Sequence, residues 1–146
     1  MSDSGRRRWL ISLQTRFRFV IPDAGEHFSE RDVFTWHDER HELQVQVVAA
    51  ETHDALARVA ANARQASWNA IRDSTLQVIG DVARESSVEV PVSFVTAAPP
   101  DRSCLFTQGV IEGRRAVMFA TLESSAYEPG HVQTWATFLR SIRERE

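Results

Sequence analysis

The sequence predicts an α+β domain: an antiparallel β-sheet of about six to eight strands packed with two helices, in the order strands, helix, four strands, helix. Three observations carry this expectation. Apolar residues alternate at period two through several segments, which suits a half-buried strand. Two segments, near residues 53–72 and 128–144, change to spacings of three and four, which suits an amphipathic helix. The connections between the later strands are too short for the dozen or more residues that a parallel crossover needs, so neighbouring strands should run antiparallel.

From Trp9 to Ile21 the odd positions read Trp9, Ile11, Leu13, Thr15, Phe17, Phe19 and Ile21, with mostly polar residues between them. A strand this long would span roughly 43 Å, so a bend or turn is expected at Gln14 to Arg16. Pro22-Asp23-Ala24-Gly25 ends the run. Two further runs follow, DVFTWH over residues 32–37 and ELQVQVVA over 42–49, the second with Leu43, Val45, Val47 and Ala49 on one face.

HDERH, residues 37–41, joins these runs and places two histidines four apart. A zincin-type site needs His-Glu-x-x-His on a helix, so that both imidazoles reach one ion. Between two strands the same spacing makes a polar hairpin tip, and a solvated turn is expected. Two histidines on facing strand ends could share a metal only with a further ligand, and none is assured.

Thr52 is placed to cap a helix starting near His53, with Leu56, Val59, Ala60, Ala63, Ser67, Ala70 and Ile71 on one stripe. Strands are expected near 76–84, 87–97, 103–111 and 115–123, with Glu112-Gly113 turning between the last two. Pro91 lies inside a strand pattern and belongs at an edge or bulge. The final helix starts near Glu128, with Pro129 in its first turn and Val132, Trp135, Ala136, Leu139 and Ile142 facing inward.

At 146 residues, 42% hydrophobic and 9% aromatic, the chain is expected to form one domain over residues 9–146 behind a flexible segment over 1–8. The net charge of -3 provides no basic footprint beyond Arg6, Arg7 and Arg8, so nucleic acid is not expected as a partner. Charge returns too soon after those arginines for a signal peptide, and no run is long enough to cross a bilayer. A cytoplasmic location without membrane insertion is expected.

All 17 basic residues are arginine. That excludes a Schiff-base lysine, a lysine-bound pyridoxal phosphate and a P-loop lysine. One cysteine, Cys104, forbids an internal disulfide, and its alternating surroundings favour a small packed residue over a nucleophile. There is no glycine-rich phosphate loop and no G-x-S-x-G elbow. His27, His53 and His131 are scattered, and His131 is expected at the surface. The expectation is a binding protein with no catalytic residue, cofactor or metal.

The order of elements, with Phe17-x-Phe19-x-x-Pro22-Asp23 at an early strand end and FLRSIRE over residues 138–144 in the last helix, resembles the PsbP/DcrB-like family of non-enzymatic α/β domains. The likeness runs from about residue 9 to 144, and in length and layout it is most similar to the cytoplasmic Eag-type adaptor chaperones of type VI secretion. The resemblance implies an adaptor that shields apolar, transmembrane-like segments of a secreted effector before export, with a secretion spike protein as a further partner. The alternative is an immunity-type or regulatory protein that binds a folded partner.

Several strands are apolar on both faces, with Val45 and Val47 beside Val48 and Met118 and Leu122 beside Val117 and Phe119. Either the chain's own elements or a second protomer covers the second face, or it forms a client groove, and a homodimer is expected. Because a hairpin sets alternate residues of two strands side by side, the groove is expected at Phe34, Trp36, Val45 and Val47. The parity of each strand is set independently, and a one-residue slip would move these residues to the other face.

Overall fold

A computed structural model describes residues 8–13, 17–22, 25–30, 32–49, 52–80, 92–125 and 130–144. Its elements are β1 (Arg8–Leu13), β2 (Phe17–Pro22), β3 (Glu26–Glu30), β4 (Val33–His37), β5 (His41–Ala49), α1 (His53–Arg72), β6 (Gln77–Gly80), β7 (Val92–Ala98), β8 (Leu105–Glu112), β9 (Ala116–Ser124), α2 (Gly130–Ser141) and β10 (Arg143–Glu144). The fold is α+β with the expected order of strands, helix, strands, helix. It has more strands than expected, because β3 and β10 were not anticipated.

A seven-stranded sheet in the order β3-β4-β5-β9-β8-β7-β6 forms the middle layer, and a second sheet in the order β1-β2-β10 packs beside it. Every neighbouring pair is antiparallel. The expected long strand from Trp9 to Ile21 is two strands paired back to back, Leu13 opposite Phe17 and Trp9 opposite Ile21. The proposed turn at 14–16 lies outside the described residues. So do Pro91, Glu128, Pro129, residues 81–91 of the strands expected near 76–84 and 87–97, and residues 1–7 of the N-terminal segment.

The two-sided strands are explained by the layering. One face of the seven-stranded sheet carries Phe34, Trp36, Leu43, Val45, Val47, Ile111, Met118, Ala120 and Leu122, buried with Phe17, Phe19, Trp135, Phe138 and Leu139 of β2 and α2. Phe19 meets Phe34 and Phe138 edge to face at 5.2 and 5.3 Å between ring centroids, the favoured arrangement for aromatic quadrupoles. Ser141 at the end of α2 accepts the Val20 amide at 2.9 Å, fastening the helix to β2.

The other face carries Val110, Val117 and Phe119 against Leu56, Val59, Ala60 and Ala63 of α1. The alanines allow the helix to lie close to the sheet. The start of α1 follows the expectation: the Thr52 hydroxyl accepts the Ala55 amide at 3.1 Å and satisfies one otherwise unpaired donor of the first turn. Ile71 near the other end packs with Val95, Ala97 and Leu76.

Candidate functional site

Local chemistry builds the HDERH tip. The Asp38 carboxylate accepts the amides of Arg40 at 2.8 Å and His41 at 2.7 Å, and the Asp38 amide donates to the His41 carbonyl at 3.0 Å. Asp at the first position of a turn makes these bonds readily, which is why the chain reverses here. The Arg40 carbonyl accepts the Ser125 amide at 2.8 Å and ties the tip to the end of β9.

Strand alternation sends the two histidines of the motif to opposite faces. His37 sits in register with Glu42 and Glu26, while His41 sits in register with Ser124 and two residues before the buried Leu43. Among the described residues no group of three or more His, Cys, Asp or Glu side chains could hold a metal.

The expectation of a wholly solvated tip holds for His37 and fails for His41. The His37 side chain is 57% exposed and lies 3.7 Å from the Glu26 carboxylate. The His41 side chain is only 9% exposed. Its Nδ1 lies 3.2 Å from the Asp38 carboxylate, and its ring stacks with Trp36 and with His131. His131, expected at the surface, is fully buried, and its Nε2 shares a hydrogen bond with the Thr107 hydroxyl at 3.0 Å. Thr107 in turn meets Thr96 at 3.3 Å. The first turn of α2 lies directly over β8, which buries what the helix start alone would expose.

A cavity of about 470 Å³ opens beside this tip, lined by His37, Asp38, Glu39, Arg40, Glu42, Glu123 and the apolar Leu76, Leu105 and Phe106, with the half-buried Cys104 at its wall. Asp101, in the turn before β8, accepts from Ser103, which holds its carboxyl below the usual range. The cavity's carboxylates and single arginine can hold polar groups, and His41, Ser124 and Ser125 complete its lining.

The four residues expected to line a client groove do share one face, and that face is the core. Phe34, Trp36, Val45 and Val47 are each at most 2% exposed beneath β2 and α2. None of them offers surface to a partner in this structure. Among the described residues the main contacts of α1 are with β6, β8 and β9, and the opposite face of β3, β4 and β5 carries mostly exposed side chains. Cross-strand rows on the open side read Glu26, His37, Glu42, Glu123; then Phe28, Thr35, Gln44, Thr121; then Glu30, Val33, Gln46, Phe119. Phe28 is 63% exposed and Val33 37%. Glu26, Glu30, Glu42 and Glu123 are exposed, and none of the described residues pointing to this face from these strands is arginine.

Phe28 was missed because EHFSE carries a single apolar residue and gives no period. The available signal was the spacing of Glu26, Phe28 and Glu30, alternate residues that share a face if the segment is a strand.

No protein-family model matches the chain, and no curated protein is similar to it in sequence. Among solved structures, one from Bacteroides thetaiotaomicron VPI-5482 aligns with a TM-score of 0.60 at 6% identity, covering 97% of this chain. This chain spans 49% of that protein's length. The Ran-binding protein Mog1p of Saccharomyces cerevisiae aligns with a TM-score of 0.59 at 6% identity, covering 94% of this chain and 95% of Mog1p. At these identities the likeness defines a shared α+β fold. Among the described residues no helix is long and apolar enough to cross a membrane.

Proposed function

We propose that this chain is a non-enzymatic protein-binding adaptor that docks a partner protein on the exposed face of β3, β4 and β5 in the seven-stranded sheet. The observation that carries the reading is Phe28, 63% exposed on a sheet face beside the exposed Val33. A solvated sheet face is ordinarily polar, and a large aromatic placed there is better buried by a partner than by water. The surrounding carboxylates would repel acidic surfaces and steer basic ones. The fold's likeness to a Ran-binding protein is compatible with a binding role.

Two kinds of client fit an adaptor. The resemblance to the Eag-type chaperones favours an apolar segment of an effector bound for type VI export, handled in the cytoplasm by a homodimer. The composition of the open face favours the second kind, a folded partner, because Phe28 and Val33 stand among Glu26, Glu30, Gln44 and Gln46. A membrane-like helix would leave those carboxylates and amides desolvated against apolar groups.

Affinity purification of the tagged chain from its own cells, beside a Phe28→Asp/Val33→Asp variant, tests the reading. A partner retained by the parent chain and lost from the variant at unchanged melting temperature is the expected result. Equal recovery with both would overturn docking on this face. Light scattering on the purified chain reads the homodimer directly.

A further inference from the structure

Resting on the open half-sheet as the docking face, we infer that β3 is a strand-addition edge for an extended partner segment whose alternate residues are basic, apolar and basic. β3 ends the seven-stranded sheet, and among the described residues no strand pairs with its outer side. All five of its residues are exposed. It pairs with β4 in unbroken register from Glu26 opposite His37 to Glu30 opposite Val33, so its outer side is a regular row of backbone donors and acceptors. An added strand completes its ladder on such a row and takes its specificity from alternate side chains.

The side chains on the open face define that specificity. Glu26, Phe28 and Glu30 alternate along β3, so an incoming strand meets an acid, an aromatic ring and an acid. Directly opposed charges of unlike sign and aromatic-aliphatic pairs stabilise a ladder, whereas like charges destabilise it. A second copy adding its own β3 antiparallel about Phe28 would set Glu26 against Glu30 twice. The edge is thus unsuited to that symmetric self-pairing and complementary to an Arg-x-Val-x-Arg pattern. Glu42 and Glu123 continue the acidic row inward from Glu26 and His37, which extends the same charge preference across the sheet.

The test uses the full chain with two synthetic peptides, acetyl-Thr-Arg-Thr-Val-Thr-Arg-Thr-amide and its counterpart with both arginines replaced by glutamate. Binding is followed by titration in two-dimensional amide NMR at low and at high salt. The basic peptide is expected to shift amides of residues 25–30 and 33–37, to weaken at least ten-fold between the two salt conditions, and to bind at least ten-fold more tightly than the acidic one. A Glu26→Arg/Glu30→Arg variant of unchanged melting temperature should reverse the preference. No binding of the basic peptide, shifts outside β3 and β4, or an unchanged preference in the variant would overturn the inference. In that event loss of the cellular partner from the Phe28→Asp/Val33→Asp variant would still uphold docking on the face, whereas its retention would remove both readings.

Discussion

The imidazoles of His41 and His131 stack with ring centroids 6.2 Å apart and planes inclined by 27°, joining the first residue of β5 to the first turn of α2. The two are 90 positions apart in sequence, and together they fill the space between the hairpin tip and β8. His41 is also held by the Asp38 carboxylate and covered by Trp36.

The two histidines of HDERH should therefore behave unequally. His41→Ala removes a buried ring and a hydrogen-bond partner of Asp38, and is expected to lower unfolding free energy by about 1–3 kcal/mol. His37→Ala removes an exposed side chain and should stay within about 0.5 kcal/mol of the parent. Urea unfolding of the two variants in parallel reads the difference; equal effects would contradict the placement of His41.

Val45 lies between Phe34 and Ala120 in the ladder, on the face under α2. Val45→Gln puts an amide where no solvent reaches, at a cost of about 1–3 kcal/mol before any strain from its greater length. A lowered melting temperature of the free protein is expected. A variant that melts like the parent and loses only partner binding would place Val45 in a groove instead.

Gly109 lies against the indole of Trp135. A β-carbon there would lie 3.0 Å from a ring carbon of Trp135, which is itself fully buried. The indole must then give by a few tenths of an ångström inside a close-packed core, and Gly109→Ala is expected to destabilise by about 1–3 kcal/mol through overpacking. The near-ultraviolet circular dichroism should change with it, since a displaced indole loses its fixed surroundings. Unchanged stability would show that α2 can shift away from β8.

Gly25, with φ of +90°, leads into β3. A side chain there is strained by the backbone conformation, and its β-carbon would overlap the His37 carbonyl oxygen. Gly25→Ala should cost about 1–3 kcal/mol locally and loosen β3 from β4. Faster amide hydrogen exchange at residues 26–30, with slower-exchanging amides of β5 and β9 little altered, is the expected signature. If β3 stays protected, the turn has an alternative path.

Features written by neighbouring residues were legible in the sequence. The Thr52 cap, the Asp38 turn, the period of β5 and the stripe of α1 each depend on contacts within a few residues, so residue type and spacing suffice to specify them. The α+β order followed from those pieces and from the short connections that enforce antiparallel neighbours. What the sequence could not decide was which side of each strand would be covered. Phe34, Trp36, Val45 and Val47 were recognisable as one face of a hairpin, but period two is the same for a core and for a groove. The choice was made by Phe17 and Phe19 from one end of the chain and Trp135 and Phe138 from the other, which meet over that face only after folding. Thr107 and His41 likewise enclose His131, a residue whose place at a helix start suggests exposure. Phe28 is the converse case: a strand with one apolar residue shows no pattern, and only its place at the end of seven strands leaves its ring in solvent.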